Sequence, residues 1–358
     1  MVLMVTTNLK SIRWESVKVI FQAISAAEQI SRAQLADSTG LSLVTVGKVA
    51  DSLLSMGVLT QEKQIKNTAG RRAGLLQIHP DKFALLLDIS CRPFRFSILD
   101  LRLNLRDKIV LPMQENHSVS EEIHTLLDEA LTYVVSRYDL SDCFGIGVSL
   151  PGRYDPDTDR VITSRLPALL PGLENMALRA TIEEVFAGFP LYLEASENAA
   201  ALSHIVSIED AEQKNVLYWF LGEEVTTGAF LANGQFLHGR MQPCQFDKLL
   251  LSDGRLLGDA LRNAYTPKDL VDVIAVPLCD LYHLMAPDTI ILDCERLRCD
   301  PDAREAMLSM LTETLHAMPG MADATLPEFR ITCAKFRHAH RGLAMHLREM
   351  WLYGALED

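Results

Sequence analysis

The stretch ISRAQLADSTGLSLVTVGKVADSLLSMG, residues 30–57, carries two helix starts and two helix stops within 28 positions. Ser31 followed three residues later by Gln34 is a capping box, and Ile30 with Leu35 can staple the entry to a short helix. Gly40 ends that helix, because a left-handed residue without a Cβ meets no steric penalty. Ser42 then caps a second helix, whose apolar residues Val46, Val49, Ala50, Leu53 and Leu54 fall at i, i+3, i+4, i+7 and i+8 on one buried face. Val44, Thr45, Gly47, Lys48, Asp51 and Ser52 are left on the other. Two short helices joined by Thr39-Gly40-Leu41 have the layout of a helix-turn-helix, in which the first turns of the second helix enter the major groove.

The flanks extend this unit. Residues 10–26 read as a preceding helix, with Val17, Ile20, Phe21 and Ile24 on one stripe. After Gly57, Val58-Leu59-Thr60 reads as a short strand and Leu75–Ile78 as its return. Between them lies a polar stretch ending in Gly70-Arg71-Arg72, a candidate wing reaching along the backbone or into the minor groove. The set expected to touch double-stranded DNA is Arg32, Ser42, Val44, Thr45, Lys48, Arg71 and Arg72. The alternative for the same pattern is a small helical domain that docks a protein or oligomerises.

Charge separates this head from the remainder. The chain carries −13 overall, yet residues 1–80 hold nine Lys or Arg against five Asp or Glu, a net +4 that leaves −17 for the rest. A basic head on an acidic body can bind phosphate while the body repels it. With 48% hydrophobic residues in 358, the chain can fill more than one core. No run approaches the roughly 20 apolar residues of a membrane span, and the start lacks the pattern of a signal peptide, so a cytoplasmic chain without membrane contact is expected. The seven cysteines, Cys91, Cys143, Cys244, Cys279, Cys294, Cys299 and Cys333, are scattered and never in a CxxC arrangement. They are expected to be small buried hydrophobes rather than metal or redox groups.

From residue 85 the pattern becomes strand, turn, strand: residues 85–90 and 94–101 form a hairpin, 103–105 begin a third strand, a helix follows near 119–137, and Phe144–Leu150 is a strand ending in Pro151-Gly152. Three ordered segments then resemble the ROK family of repressors and sugar kinases. GIGVSLPGRYDPDTDRVITSRLP at 145–167 resembles the family's GIGVxxPGxVD segment. PLYLEASENAAALSH at 190–204 resembles VxVENDANAAALAE, and VLYWFLGEEVTTGAFLANGQFLHG at 216–239 resembles VLYLxLGTGIGAGIxxNGxLxxG. The resemblance covers nearly the whole chain and includes the winged head that ROK repressors carry. It implies an α/β chain with an N-terminal winged helix-turn-helix and a two-lobed, actin-like (ribonuclease H-like) body, a ligand cleft lying between the lobes. The expected division is a DNA-binding domain at 1–80, a first lobe at 81–200, and a second lobe at 201–358 whose C-terminal helix returns to the first.

The departures from that resemblance bear on function. Where the kinases read DIGGT, with glycines that let backbone approach ATP phosphates, this chain reads Asp88-Ile89-Ser90-Cys91-Arg92. Where their Glu-Asn-Asp supplies the general base, it reads Glu194-Ala195-Ser196, and a neutral hydroxyl cannot deprotonate a sugar near pH 7. The second phosphate loop, GTGIG, has become Gly222-Glu223-Glu224-Val225-Thr226, whose carboxylates repel phosphate. The zinc-binding GEIGH and cysteine loop are replaced by Cys244-Gln245-Phe246-Asp247-Lys248 and a cysteine-free stretch, 249–259. The expectation is therefore a transcriptional regulator, a repressor of carbohydrate-related genes, with no enzymatic activity, no cofactor and no metal. Its body would sense a sugar-like small molecule or a protein, or act as a dimer or tetramer scaffold. Glu194, Ser196, Gln245 and Lys248 are the candidate cleft residues. Bland roles stand beside these: Asp88 as the cap of a strand turn, Glu194 as a strand-end carboxylate, Asp247 and Lys248 as solvated loop charges. His338 and His340, two apart on a helix, are a poor metal pair and read as solvated or packing residues.

Overall fold

The computed structural model describes residues 9–63, 74–113, 117–162, 170–205, 207–237, 244–298 and 300–354. The first unit runs α1 (Leu9–Ala27), β1 (Ile30–Ser31), α2 (Arg32–Thr39), α3 (Leu43–Ser55), β2 (Leu59–Lys63) and β3 (Gly74–Ile78). The start and stop signals act where the residues place them. The Ser31–Gln34 capping box closes in both directions, Gly40 adopts φ 70° as the cap of α2, and the Ser42 side chain accepts from the Thr45 backbone N–H. Strand β2 reaches Lys63, three residues beyond the expected Thr60, because its antiparallel pairing to β3 continues from Leu59–Ile78 to Lys63–Gly74. Polar residues can extend a ladder when the partner strand supplies the hydrogen bonds. Arg71 and Arg72 lie outside the described residues.

Two five-stranded sheets follow, and they share one topology. The first is built from β4 (Phe83–Asp88), β5 (Arg95–Asp100), β6 (Leu105–Val110), β7 (Cys143–Leu150) and, beyond the small hairpin β8 (Arg153–Asp155) and β9 (Arg160–Ile162), β10 (Leu191–Ala195). Helix α4 (Val119–Arg137) links β6 to β7, α5 (Leu178–Val185) precedes β10, and α6 (Ser196–Ile205) follows it. The second sheet takes β11 (Val216–Leu221), β12 (Thr226–Ala232), β13 (Gln235–Phe236), β14 (Thr289–Cys294) and β15 (Glu328–Thr332). Helices α7 (Leu257–Leu261) and α8 (Pro267–Met285) lie before β14, α9 (Pro301–Ala317) after it, and α10 (Lys335–Tyr353) ends the described chain. The strand orders are β10-β7-β4-β5-β6 and β13-β12-β11-β14-β15. In each, three antiparallel strands lead and two parallel strands complete the sheet. This repeated unit is the actin-like, two-lobed α/β architecture that the resemblance implies.

Side-chain alternation divides the apolar residues into layers. In β4, Phe83, Leu85 and Leu87 face α4 and α5, while Ala84 and Leu86 face a middle layer. In β11, Leu217, Trp219 and Leu221 face α8 and α9, while Val216, Tyr218 and Phe220 face the same middle layer. That layer is α6 and α10, crossing closely enough that a Cβ on Gly342 would sit 1.8 Å from the Ala199 carbonyl oxygen. The head is continuous with it. Val17, Phe21, Val49, Leu53 and Leu76 belong to one apolar cluster with Leu86, Phe144, Leu343 and Leu347. Trp14 packs edge-on against Tyr353 at 5.4 Å, Phe144 stacks on Trp351, and the Arg348 guanidinium lies 5.0 Å above the Phe21 ring.

Candidate nucleic-acid interface and interlobe cleft

The outward face of α3 is prepared for contact. Its buried side (Val46, Val49, Ala50, Leu53) anchors it to α1 and α2, which leaves the first turn free. Leu43 and Val44 stand 59% and 69% exposed there, unusual for large apolar residues on a helix this short. Ser42 Oγ lies 3.1 Å from the Thr45 backbone N and 2.9 Å from Thr45 Oγ1, so both side chains are fixed at the helix start. Lys48 is exposed and makes no ion pair among the described residues. Arg32 differs: its Nη2 lies 2.5 Å from Asp51 Oδ1 of α3, a cross-helix pair that ties the two helices together. Sequence reasoning passed over Leu43, although its place directly after the N-cap put it on the same exposed turn as Val44.

Between the lobes lies a cleft of about 330 Å³. Of the four residues expected there, Ser196 lines it, at the start of α6. Glu194 is held beside it in three hydrogen bonds, accepting from Tyr192 Oη (2.9 Å), the Ala195 backbone N–H (2.9 Å) and Asn198 Nδ2 (3.0 Å). Gln245 caps a single 3-10 turn away from the lining, and Lys248 is mostly exposed, 3.5 Å from Asp247.

The cleft is built instead around the Lys335–Glu197 pair, which single-sequence reading did not assign, beside Asp88, which keeps its expected place as the cap of a strand turn. Lys335, at the first turn of α10, sends Nζ to within 2.9 Å of Glu197 Oε1 on α6, and the two side chains are 8% and 3% exposed. The same ammonium lies 4.2 Å from the centre of the Phe220 ring on β11, so it touches both lobes. Asp88, fully buried at the end of β4, caps its own turn through Ser90 N–H (3.0 Å) and Ser90 Oγ (2.6 Å), with Arg95 Nε 3.4 Å from its other oxygen. Burial pushes the neighbouring Cys91 thiol up to about 11, with the Asp88 charge adding to it, which leaves it an unreactive thiol.

The loop at 222–225 is also claimed from within. Arg296, buried at the end of β14, donates Nε to the Gly222 carbonyl (2.9 Å) and Nη2 to the Glu223 carbonyl (2.7 Å). Its backbone thus faces a fixed guanidinium, while Glu223 and Glu224 line the cavity beside Glu295. Burial raises Asp293, which accepts from Tyr218 Oη (2.8 Å) and the Ala334 backbone N–H (3.0 Å), joining β11, β14 and the entry to α10.

The histidines of α10 are packing residues. His338 lies 4.3 Å from His204, and His340 is buried with Nδ1 2.5 Å from Ser97 Oγ. Among the described residues, Cys91, Cys143, Cys244, Cys279 and Cys294 form no disulfide. Cys333 departs from the expected thiol in being disulfide-bonded, a pairing that its scattered sequence context gave no means to read.

No family model matches the chain. Among curated proteins, the xylose repressor of Bacillus subtilis is 24% identical over 221 residues, 60% of this chain and 55% of that one. The DNA-binding transcriptional dual regulator NagC of Escherichia coli is 24% identical over 185 residues, 50% and 43% of the two chains. The chain therefore spans about half the length of the curated relatives it matches. Among solved structures, a ROK family transcriptional regulator described as a homologue of the E. coli MLC protein superposes with a TM-score of 0.65 at 15% identity, over 96% of this chain and 98% of that one. A ROK family glucokinase from Streptomyces griseus in complex with glucose and AMPPNP gives 0.53 at 14% identity, over 74% and 98%. In sequence the chain is thus similar over about half their length to the xylose repressor and NagC, and in fold it is similar to the solved ROK family structures.

Proposed function

We propose that the chain is a DNA-binding transcriptional regulator, a repressor of carbohydrate-related genes, that transfers no phosphoryl group. The observation that carries this reading is the capped, outward-facing first turn of α3, with Ser42, Leu43, Val44 and Lys48 presented beside a β-hairpin on a basic unit. Leu43 and Val44 suit thymine methyl groups in the major groove, and Lys48 suits a phosphate or base edge. The names of the curated relatives support it. A sugar-like effector or a regulatory protein is the body's partner in this reading, and a dimer supplies the paired heads that a pseudo-palindromic operator needs. The division at 1–80, 81–200 and 201–358 is kept as functional rather than as separate cores.

The cleft supports the non-enzymatic half. Phosphoryl transfer rests on positioning and on neutralising phosphate charge. Here Ser196 stands where the resemblance puts a base, four carboxylates line the cavity at Glu197, Glu223, Glu224 and Glu295, and its cations Arg92, Arg95 and Lys335 each already lie against a carboxylate. Helix α10 offers the route from cleft to head. Its first turn holds Lys335 and Phe336 in the cleft, and its last turns pack on α1 about 28 Å away. A ligand that binds one lobe arrangement better would shift the head through this helix.

The test is binding to genomic fragments against random DNA, run beside an assay of sugar-dependent ADP release. Sugar-dependent release would overturn the non-enzymatic reading. The exposed Leu43–Val44 pair would equally suit a protein partner, and salt separates the two: phosphate contacts give an affinity that falls steeply with salt, whereas an apolar protein contact does not.

A further inference from the structure

On the other side of Arg95 and Phe336 from the interlobe cleft lies a second cavity, of about 450 Å³, between the β5–β6 hairpin and α10. Four cationic side chains line it, Arg95, Lys108, Arg337 and Arg341, and no carboxylate does. On a chain of net charge −13 this is a pronounced local reversal. Pairing places the cations by geometry rather than by chance of flexible side chains. Lys108 of β6 is the cross-strand partner of Ser97, so both project from the same face of the sheet. Arg337 and Arg341 are one turn apart on α10 and overhang that face. Lys108, Arg337 and Arg341 are exposed and form no ion pair among the described residues.

The floor of the cavity is buried. His340, hydrogen-bonded to Ser97 through Nδ1, leaves Nε2 without a hydrogen-bond partner, and Arg95 Nε has none either. Both atoms are buried beneath the cavity surface and lie toward Asp88, so the floor contributes the charge of Arg95 and a fixed shape rather than a free donor. Asp88 Oδ2 lies 4.0 Å and 3.4 Å from these two atoms, so it supplies charge without a hydrogen bond.

We propose that this cavity binds a small multivalent oxyanion, a phosphate or phosphate monoester, gripped by Lys108, Arg337 and Arg341 above the Arg95–His340 floor. The inference does not depend on the DNA-binding reading, since its readout is direct binding of the anion. A phosphate matches the site because its oxygens accept from several directions at once, as converging guanidinium and ammonium groups demand. DNA phosphate is the competing occupant. The enclosed, half-buried floor favours the small ion, as a duplex backbone could reach only the three rim cations.

The experiment titrates the full chain with inorganic phosphate and, separately, with glucose 6-phosphate and glucose at matched ionic strength, read by calorimetry. Both phosphates should bind at this site and glucose should add nothing of its own there. Lys108→Gln, Arg337→Gln and Arg341→Gln, all exposed positions, should each weaken phosphate binding by roughly tenfold with an unchanged unfolding midpoint in phosphate-free buffer. Absence of binding, or binding that the triple variant retains, would overturn the proposal. So would loss of DNA affinity in these variants without any phosphate binding, which would make the cations a backbone contact instead.

Discussion

Replacing Lys335 with Met isolates the interaction on which the cleft is organised. The Lys335–Glu197 pair is separated by 2.9 Å, with side chains 8% and 3% exposed. At an effective dielectric near 20 the bare attraction is about 6 kcal/mol, most of it spent on desolvating the two ions. Removing one partner is costlier than the net value of the pair, because it strands the other. Lys335→Met takes away the ammonium that lies 2.9 Å from the buried Glu197 carboxylate and removes it from the Phe220 face, 4.2 Å away. The expected loss is about 3–5 kcal/mol, read as a lowered midpoint in urea unfolding of the full chain. Lys335→Met with Glu197→Leu should recover most of it, since an apolar pair of similar volume removes the stranded charge. A single-variant cost below about 1 kcal/mol, the value of a solvent-screened pair, would refute the reasoning. It would mean that water reaches both ions and that the cleft is not internally neutralised.

Three further outcomes follow from the packing. Gly342→Ala should separate α6 from α10, because its Cβ would fall 1.8 Å from a backbone oxygen that no rotamer can move; a loss of about 3 kcal/mol or more is expected in the same unfolding assay. Ser42→Ala should cost about 1 kcal/mol through the lost cap on α3, and Ser42→Gly only a few tenths, a ranking that thermal unfolding can check. Burial lowers His204 to about 3 and His338, His340 and His346 to about 4. The unfolded chain takes up those protons near 6.5 while the native state does not, so stability is full above that pH and falls as pH drops from about 6.5 toward 4, by up to about 1.4 kcal/mol per pH unit for each histidine. Urea midpoints at pH 7 and pH 5 measure this, and a level profile would contradict it.

The head was legible because its signals are local. A capping box, a left-handed glycine and an i, i+3, i+4 stripe act within a few residues, and α2 and α3 begin and end where those residues lie. The two sheets were legible through long apolar strands such as Val216–Leu221, whose alternation shows directly in the layers. The cleft was not. Glu197 and Lys335 are 138 residues apart, and nothing near either announces the other. Arg296 follows a strand as an ordinary loop cation and becomes a structural group only by meeting the Gly222 and Glu223 carbonyls across the fold. His340, one of a pair read as solvated or packing, acquires its place from Ser97 on a distant strand. Gln245 and Lys248 were placed by their position in a motif. Neither lines the cleft; both lie on the short turn of Phe246, which packs on Trp219 at 4.5 Å.

The central claim is that α3 reads DNA, and its most direct test is equilibrium binding of the full chain to a genomic fragment library and to random duplex, repeated across a salt series. The account predicts at least one fragment bound in preference to random DNA, with affinity falling steeply as salt rises and with Lys48→Ala reducing the salt slope by about one. Equal binding to every duplex, or a Lys48→Ala variant with an unchanged slope and affinity, would contradict it.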